Sequence, residues 1–287
     1  MTSEVAGDKR RLLERTSIVE LDARERARAL LDPGTFRELI DAFDRLESPW
    51  LAAQGIVPER DDGAVVARGT LDGESAVIAA LQGAFQAGSL GEVSGAKIAG
   101  ALELTLADHE RGIATRPVLL AESGGVRLQE AHLGLAAAAE IGAAIVALRR
   151  HVPVVLVTAG PVGCFGGMGL CAGLCSTVIV TRAARLGLNG PEVIEQEHGI
   201  GELDAKDRPL VWSLTGGEQR HGSGLADVLV DDDVEAIAEA VREAFRRGPP
   251  SEPRSAQVER FLNLIAVVDP SDPPDGPGLR RLWRAGA

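Results

Sequence analysis

The order of apolar and polar residues predicts an α/β protein. After residue 115, short apolar runs that are typical of buried strands alternate with alanine-rich segments of helical spacing. The strand-like runs are RPVLLAE, VPVVLVTAG and STVIVT, and the longest helical segment is VRLQEAHLGLAAAAEIGAAIVALRR. Because strand and helix units repeat in this way, we expect an α/β spiral with sheets packed almost face to face and helices outside.

The first part of the chain has a different pattern. Helical spacing over residues 22–31 and 35–46 predicts two helices, separated by an Asp-Pro-Gly breaker. Two short apolar runs then flank an Asp-Gly pair at 72–73. Because Asp-Gly between β-rich runs is a strong hairpin signal, we expect antiparallel strands at 64–70 and 75–81.

These patterns divide the chain into three regions. Residues 1–62 form an N-terminal helical segment, and residues 63–247 form one α/β domain without a linker that would divide it. Residues 248–287 form a proline-rich arm with one apolar island, FLNLIAVV. We expect this arm to dock on the domain or on a partner.

The net charge of the chain argues against nucleic-acid binding and against binding to anionic membranes. The formal net charge is -12, from 42 acidic and 30 basic residues, so the overall field repels nucleic acids and anionic membranes. The amino-terminal residues lack the apolar core of an export signal, and no later apolar run reaches membrane-spanning length without glycine or charge. We therefore expect a cytoplasmic protein with neither nucleic-acid nor membrane partners.

Three cysteines, Cys164, Cys171 and Cys175, lie in one segment rich in alanine and glycine. Their spacing places them on one helical face, unlike the paired CxxC knuckles of zinc sites. This predicts buried, reduced thiols and no metal site.

A glycine pair, Gly124-Gly125, lies between a strand-like run and the longest helical segment. Glycine lets the backbone turn sharply and approach a ligand, and amides at a helix start lack intrahelical partners. The amides of Gly125 and Val126, or those of both glycines, are candidate donors to one oxyanion. The alternative is an ordinary tight turn between strand and helix.

A second pair, Gly166-Gly167, follows the next strand and is a candidate floor for an acyl pocket. Close helix packing is the alternative explanation. The segment QAGSLGEVSGAK is a candidate lip over a cofactor arm, through Ser89, Gly91 and Lys97, although a solvated lysine is the simpler interpretation.

Polar residues around the first pair complete the candidate site. Ser123 and Val126 flank the two glycines and are candidates for contact with the substrate or its arm. Arg127, Gln129 and Glu130 follow, and we expect them to support the loop or to contact a partner, with Glu130 placed favourably for the helix dipole.

Side chains that commonly act as acid, base or nucleophile occupy no catalytic spacing. Residues 195–198, Glu-Gln-Glu-His, lack the second histidine of a zinc helix, and Gly-Ser-Gly at 222–224 is not a nucleophile elbow. The absence of such a motif fits a reaction that is driven by electrostatic preorganisation. The candidates without a defined role are His132, His151, His198, His221 and Cys164.

Several segments in order resemble the acyl-thioester carboxyltransferase branch of the crotonase-like superfamily, and most closely the beta subunits of biotin-independent malonate decarboxylases. The resemblance covers about residues 12–247. It implies a crotonase-like (ClpP/crotonase) ββα spiral of the carboxyltransferase type. The segments that carry it are QAGSLGEVSGAKIAGALEL, SGGVRLQE, GPVGCFGGMG, LGLNGPEVIEQEHG and SLTGGEQRHGSGLADVLVDDD.

The resemblance also implies an activity and partners. In that family a beta and a gamma subunit share an active site that decarboxylates a malonyl group on an acyl-carrier subunit, giving the acetyl thioester and CO2. The carrier bears a phosphoribosyl-dephospho-CoA arm, an alpha subunit transfers the acyl-carrier group, and the beta chain holds no covalent cofactor. By this resemblance, the amides of Gly124 and Gly125 form the oxyanion hole.

Three other functions stay open. The first is a carboxyltransferase subunit of a biotin-dependent acyl-CoA carboxylase or malonate decarboxylase. The related acetyl-CoA carboxylase subunit has a zinc ribbon, and the N-terminal region here lacks the cysteines of that ribbon. A noncatalytic scaffold that binds the carrier arm is the second. A lone hydratase or isomerase is the third, but nothing distinguishes Glu122, Glu130 or Glu192 as its catalytic acid.

Overall fold

A seven-stranded sheet forms the centre of the computed structural model, which describes residues 15–285. The strands lie side by side in chain order, and each neighbour from β3 onward is parallel, whereas β1, β2 and β3 pair antiparallel. The strands are β1 (Arg37–Leu39), β2 (Ala64–Leu71), β3 (Glu74–Leu81), β4 (Thr115–Leu120), β5 (Val155–Thr158), β6 (Thr177–Thr181) and β7 (Val228–Val230).

Helices cover both faces of this sheet. No helix within residues 15–285 is long and apolar enough to cross a membrane. The helices are α1 (Ala23–Leu30), α2 (Glu92–Glu110), α3 (Leu133–Leu148), α4 (Gly166–Leu174), α5 (Pro191–His198), α6 (Arg208–Thr215), α7 (Gly217–Gly222), α8 (Val234–Arg247), α9 (Val258–Ala266) and α10 (Gly276–Ala285).

Alternating side chains divide the core in two. Successive residues of a strand point to opposite faces, so Leu119 packs under α2, α3 and α4 while Leu120 packs under α1 and α8. Because both faces of the parallel strands are buried, their sequences read as continuous apolar runs, which is why the pattern identified them. The predicted α/β fold is confirmed.

A second, shorter layer lies beyond the carboxyl ends of the parallel strands. It consists of single parallel bridges, Leu90 to Val126, Ser123 to Cys164, and Cys164 to Leu186. The predicted face-to-face sheets are therefore reduced on this side to a row of bridges. This row brings the loop after β4 against the loop after β5.

The N-terminal predictions are confirmed in part. The hairpin forms as predicted, with Asp72 and Gly73 both at positive φ, and Asp22 caps α1 through a capping box. The predicted helix at 35–46 is wrong, because this segment supplies β1 and then irregular chain. Glu38 of β1 pairs with Arg24 of α1, and the backbone pairs with β2, so tertiary contacts outweigh the helical periodicity.

The long helix begins later than its pattern indicated. A short 3-10 turn, Leu128–Glu130, follows the Gly-Gly pair, and Ala131 has a φ of 51°, so α3 starts only at Leu133. The prediction that the first glycine pair opens a helix is therefore wrong. The cause is a buried Arg127 side chain, described below, which holds this segment in a loop.

The C-terminal segment contacts the domain. Arg254 forms an ion pair with Asp227 and donates a hydrogen bond to the carbonyl of Cys175. Gln219 of α7 donates to the Gly276 carbonyl over 3.0 Å. These contacts hold the chain after α8 against the edge of the sheet that carries β7.

Candidate active site

The loop after β4 leaves the backbone amide of Val126 free. The N–H of Leu90 donates to the Gly125 carbonyl, and the Leu90 carbonyl accepts from the N–H of Arg127, both over 2.8 Å. In such a parallel bridge, the peptide groups of the residue between these two partners face the other way. The Val126 N–H accordingly bonds to none of the residues that the structure describes.

The start of α4 presents two further free amides. The N–H of Gly166 donates to the Leu188 carbonyl over 2.7 Å, and that of Gly169 donates to the helix-cap carbonyl of Phe165. The N–H groups of Gly167 and Met168 lie between them and have no acceptor within residues 15–285. The helix dipole adds a partial positive charge here, so the position favours an anion.

Glycine lets these two backbones touch. A Cβ on Gly166 would lie 2.8 Å from the Gly125 Cα and 3.5 Å from the Val126 nitrogen. Gly125 has a φ of 124°, which an L side chain rarely adopts, and Gly166 also has a positive φ. The loop that carries Val126 is therefore in direct contact with the start of α4, where Gly167 lies.

Both amides lie at one end of a groove of about 820 Å³ between α3 and α4. Its floor is made of small and apolar residues, and Arg150 lies at the far end. Leu135, Leu170 and Leu188 form its rim and are 58%, 60% and 57% exposed. Such a contiguous apolar rim is typical of a surface that another chain or a ligand covers.

The predicted donor pair requires a correction. The Gly124 N–H donates to the Ala87 carbonyl over 2.8 Å, so the prediction that it stabilises an oxyanion is wrong. The Gly125 N–H also has a partner, because it donates to the Oγ of Ser123 over 3.3 Å. The Ser123 side chain is buried. The alternative donor, Val126, is the one that the loop leaves free, and Gly125 contributes its backbone conformation.

A buried ionic cluster supports this loop from behind. Arg127 is 1% exposed, and its Nη1 donates to Asp62 over 2.6 Å and to Glu130 over 2.8 Å. Glu130 also accepts from the Ser48 hydroxyl and from the Glu92 N–H, each over 2.6 Å. The predicted loop support by Arg127 and Glu130 thus has a direct geometric basis, and we propose it as their role.

The carboxylates of this cluster have opposite pKa shifts. Burial raises the pKa of Asp62, and the Arg127 guanidinium reduces this effect without reversing it. Burial also acts to raise the pKa of Glu130, but hydrogen bonds from Ser48, Glu92 and Arg127 outweigh it and lower that pKa. The Arg127 guanidinium contacts both carboxylates and favours the charged form of each.

The expected lip residues lie elsewhere. The Ser89 carbonyl accepts from Arg127 over 3.1 Å, and a Cβ on Gly91 would meet the Arg127 and Glu130 side chains, so both stand behind the loop. Neither of them lines the groove, and their contact with a cofactor arm stays a prediction. Gln129 is exposed, and its carbonyl accepts from the Gln54 side chain.

Lys97 is buried and remote from the groove. Its Nζ lies 3.2 Å from the Asp61 carbonyl oxygen, and burial lowers its pKa although nearby carboxylates of Asp61 and Glu38 oppose this. The interpretation as a solvated lysine is wrong, because Lys97 is buried, and its contact with a cofactor arm stays a prediction. The lysine instead joins α2 to the segment before β2.

The cysteines are buried and unpaired with one another, as expected. Burial raises the pKa of Cys164 and Cys175 well above the ordinary value and that of Cys171 to about 12. Only Cys171 lines the groove. Within residues 15–285, no group of three or more His, Cys, Asp or Glu residues is placed to hold a metal ion.

Comparison with known proteins defines the class. Residues 20–273 match the carboxyl transferase domain family, and the chain belongs to that family. It is 37% identical over 283 residues to the malonyl-S-ACP:biotin-protein carboxyltransferase of Malonomonas rubra, covering 92% of this chain and 89% of that protein.

Two solved structures are more similar still. A subunit of a Pseudomonas malonate decarboxylase hetero-tetramer, in complex with malonate, is 62% identical with a TM-score of 0.93, covering 96% of this chain and all of that one. A subunit of a Pseudomonas malonate decarboxylase hetero-dimer is 56% identical with a TM-score of 0.75, covering 89% and 98%. The resemblance to malonate decarboxylase subunits and the crotonase-like carboxyltransferase fold are thereby confirmed.

Proposed function

We propose that this chain is the beta-type subunit of a malonate decarboxylase, a carbon–carbon lyase that converts a malonyl thioester into an acetyl thioester and CO2. The observation that carries the proposal is the pair of free amides, Val126 and Gly167, at the end of an apolar groove. High identity with malonate decarboxylase subunits supports the same substrate.

The chemistry needs what these amides supply. When the bond between the α-carbon and the carboxylate breaks, its electron pair moves onto the α-carbon and the thioester oxygen, giving an enolate. Free N–H groups that meet that oxygen stabilise the charge without reorganising, and one such donor lowers the barrier by roughly 3 kcal/mol. Protonation of the α-carbon then completes the acetyl thioester.

The groove also disfavours the starting carboxylate. Leucine side chains at the rim offer it no hydrogen bond, whereas neutral CO2 loses nothing in apolar surroundings. Poor solvation raises the free energy of the bound carboxylate. Less additional free energy is then needed to reach the transition state, in which the charge has moved towards the amides. Gly166 and Gly167 form the floor of this acyl site, and Ser123 shapes the loop above it.

Hetero-oligomeric partners complete the site. We infer that a gamma-type subunit covers the leucine rim and holds the departing carboxylate. We infer also that an acyl-carrier subunit delivers the malonyl group on a phosphoribosyl-dephospho-CoA arm, and that an alpha-type subunit transfers the acyl-carrier group. The similar chains come from a hetero-tetramer and a hetero-dimer, and three unpaired cysteines fit a reducing cytoplasm.

The direct test uses the complex purified with this chain as bait. Malonyl-carrier labelled in its free carboxylate should release labelled CO2, and mass spectrometry should find acetyl-carrier in equal amount. An intact complex that leaves malonyl-carrier unchanged would overturn the proposal.

Carboxyl transfer to a biotin protein is the second candidate, because the similar Malonomonas rubra protein is named for that transfer. The same assay separates the two reactions when a biotinylated carrier is added. This alternative would be favoured if the label were recovered on biotin and if no CO2 were released when the biotinylated carrier is left out.

Leu170→Glu is expected to separate the partner from this chain. The leucine is 60% exposed at the groove rim, so a glutamate is solvated in the free chain but desolvated beneath a partner. We expect affinity to fall by about 30-fold or more, measured by co-purification and by titration of the partner. Val57→Glu is the control, since Val57 is 84% exposed and does not line the groove. If both variants bound the partner with equal affinity, the leucine rim would not be part of the interface.

A further inference from the structure

Glu122 is a buried carboxylate that the proposed reaction does not use directly. It is 4% exposed and follows β4, immediately before the loop that carries Val126. Its Oε1 accepts from the N–H groups of Ala159 over 3.0 Å and of Gly160 over 2.6 Å, at the end of β5. A Cβ on Gly160 would lie 2.6 Å from Oε2, so glycine makes room for the carboxylate.

These bonds join the two loops that hold the free amides. The neighbouring Ser123 adds backbone bonds, donating to the Gly163 carbonyl over 2.7 Å and accepting from the Phe165 N–H over 2.8 Å. Among the described residues, the side-chain hydrogen bonds between segments 121–126 and 159–167 all come from Glu122. The relative position of the two loops is therefore set by these backbone bonds together with the Glu122 carboxylate.

We propose that Glu122 is a positioning residue for the decarboxylation, holding the loop of Val126 and the loop of Gly167 in one register so that both amides meet the same enolate oxygen. The inference rests on the proposed function. Glu122 acts through the backbone and does not touch the substrate, because its carboxylate binds the Ala159 and Gly160 amides and does not line the groove.

Protonation of Glu122 should have opposite effects on stability and on activity. Burial raises its pKa, while the bonds from Gly160 and Ala159 and the charge of Arg26 on α1 oppose this; Arg185 and the Cys164 thiol are the other titratable groups that interact with it. A carboxyl whose pKa is raised by folding stabilises the fold when protonated, and that stability is lost as the pH rises through the raised pKa. Positioning, however, needs the charged form, which binds both N–H groups more strongly.

Glu122→Gln in the whole complex tests this. The amide keeps the size and one acceptor oxygen but not the charge, so kcat should fall about tenfold, with KM unchanged within about twofold. The acid limb of the kcat profile should disappear, and the thermal midpoint should stay equal or rise. Glu122→Asp keeps the charge on a shorter side chain, so it should lower kcat but retain the acid limb.

Glu235→Gln is the control, since Glu235 is exposed on α8, and it should change none of these values. A wild-type kcat and pH profile in Glu122→Gln would overturn the inference. A lower kcat together with a lower thermal midpoint would overturn it too, because that result indicates a carboxylate with a merely structural role. An inactive wild-type complex would instead contradict the proposed function.

Discussion

Gly166→Ala is expected to lower kcat for malonyl-thioester decarboxylation by about 100-fold or more while the complex still assembles. The new Cβ would lie 2.8 Å from the Gly125 Cα, where real side chains are not found, and the residue has a φ of 55°. The loops of Val126 and Gly167 must therefore separate, and the enolate oxygen loses at least one donor. A left-handed alanine costs about 1–2 kcal/mol, which a folded domain tolerates.

Gly173→Ala provides the matched control on the same helix. A Cβ there meets nothing within 4 Å, so kcat should stay unchanged and the helix should gain about 0.5–1 kcal/mol. Steady-state kinetics and thermal unfolding of both complexes check the pair. If Gly166→Ala retained kcat within about threefold, contact between the two loops would not matter for the rate. The noncatalytic scaffold, which predicts that result, would then be preferred.

Arg127→Met is expected to have the largest effect on stability, lowering the free energy of unfolding by about 3–5 kcal/mol. Arg127 is almost fully buried, and its removal leaves the carboxylates of Asp62 and Glu130 without their cation. Urea unfolding of the isolated chain measures the loss. Arg246→Met is the control, because its ion pairs with Glu239 and Glu243 are exposed to solvent and should leave the free energy of unfolding almost unchanged.

The sign of the pH dependence provides a second check. In the wild type, Glu130 has a lowered pKa, so its contribution is present above its unfolded pKa and is lost as the pH falls through the folded one. In Arg127→Met, the two carboxylates lose their cation and bind protons more readily. The stability deficit of the variant should therefore shrink as the pH falls. A deficit below about 1 kcal/mol at neutral pH, or one that grows in acid, would show that the cluster does not support the loop.

Local patterns in the sequence were sufficient for the architecture. Buried parallel strands read as apolar runs, and the Asp-Gly hairpin formed where its turn residues indicated. The segment at 35–46 failed because its apolar spacing fits a helix, whereas pairing of Glu38 with Arg24 and of β1 with β2 is set by residues distant in sequence. Periodicity does not report such pairings.

The candidate site was predictable only at the level of its glycines. Both pairs do meet, but Gly124 donates to Ala87, which lies 37 residues earlier in the chain, and no local signal reveals that bond. Val126 was one of two alternatives, and the structure separates them through its bridge with Leu90. Asp62 and Ser48 were missed entirely, because an aspartate and a serine in a turn-rich segment carry no mark of burial. The sequence does not distinguish Glu122 from other glutamates, since the two amides that it binds follow the next strand.

The most direct measurement removes one proposed donor and keeps every side chain. Replacing Val126 by the hydroxy acid of the same side chain turns its N–H into an ester oxygen. The Gly125 carbonyl becomes an ester carbonyl that accepts the Leu90 N–H more weakly, while the groove and its leucine rim keep their residues. We predict that a complex carrying this ester assembles normally and decarboxylates malonyl-carrier about 100- to 1,000-fold more slowly. An intact ester complex with kcat within about twofold of the wild type would contradict the claim that the Val126 amide stabilises the enolate.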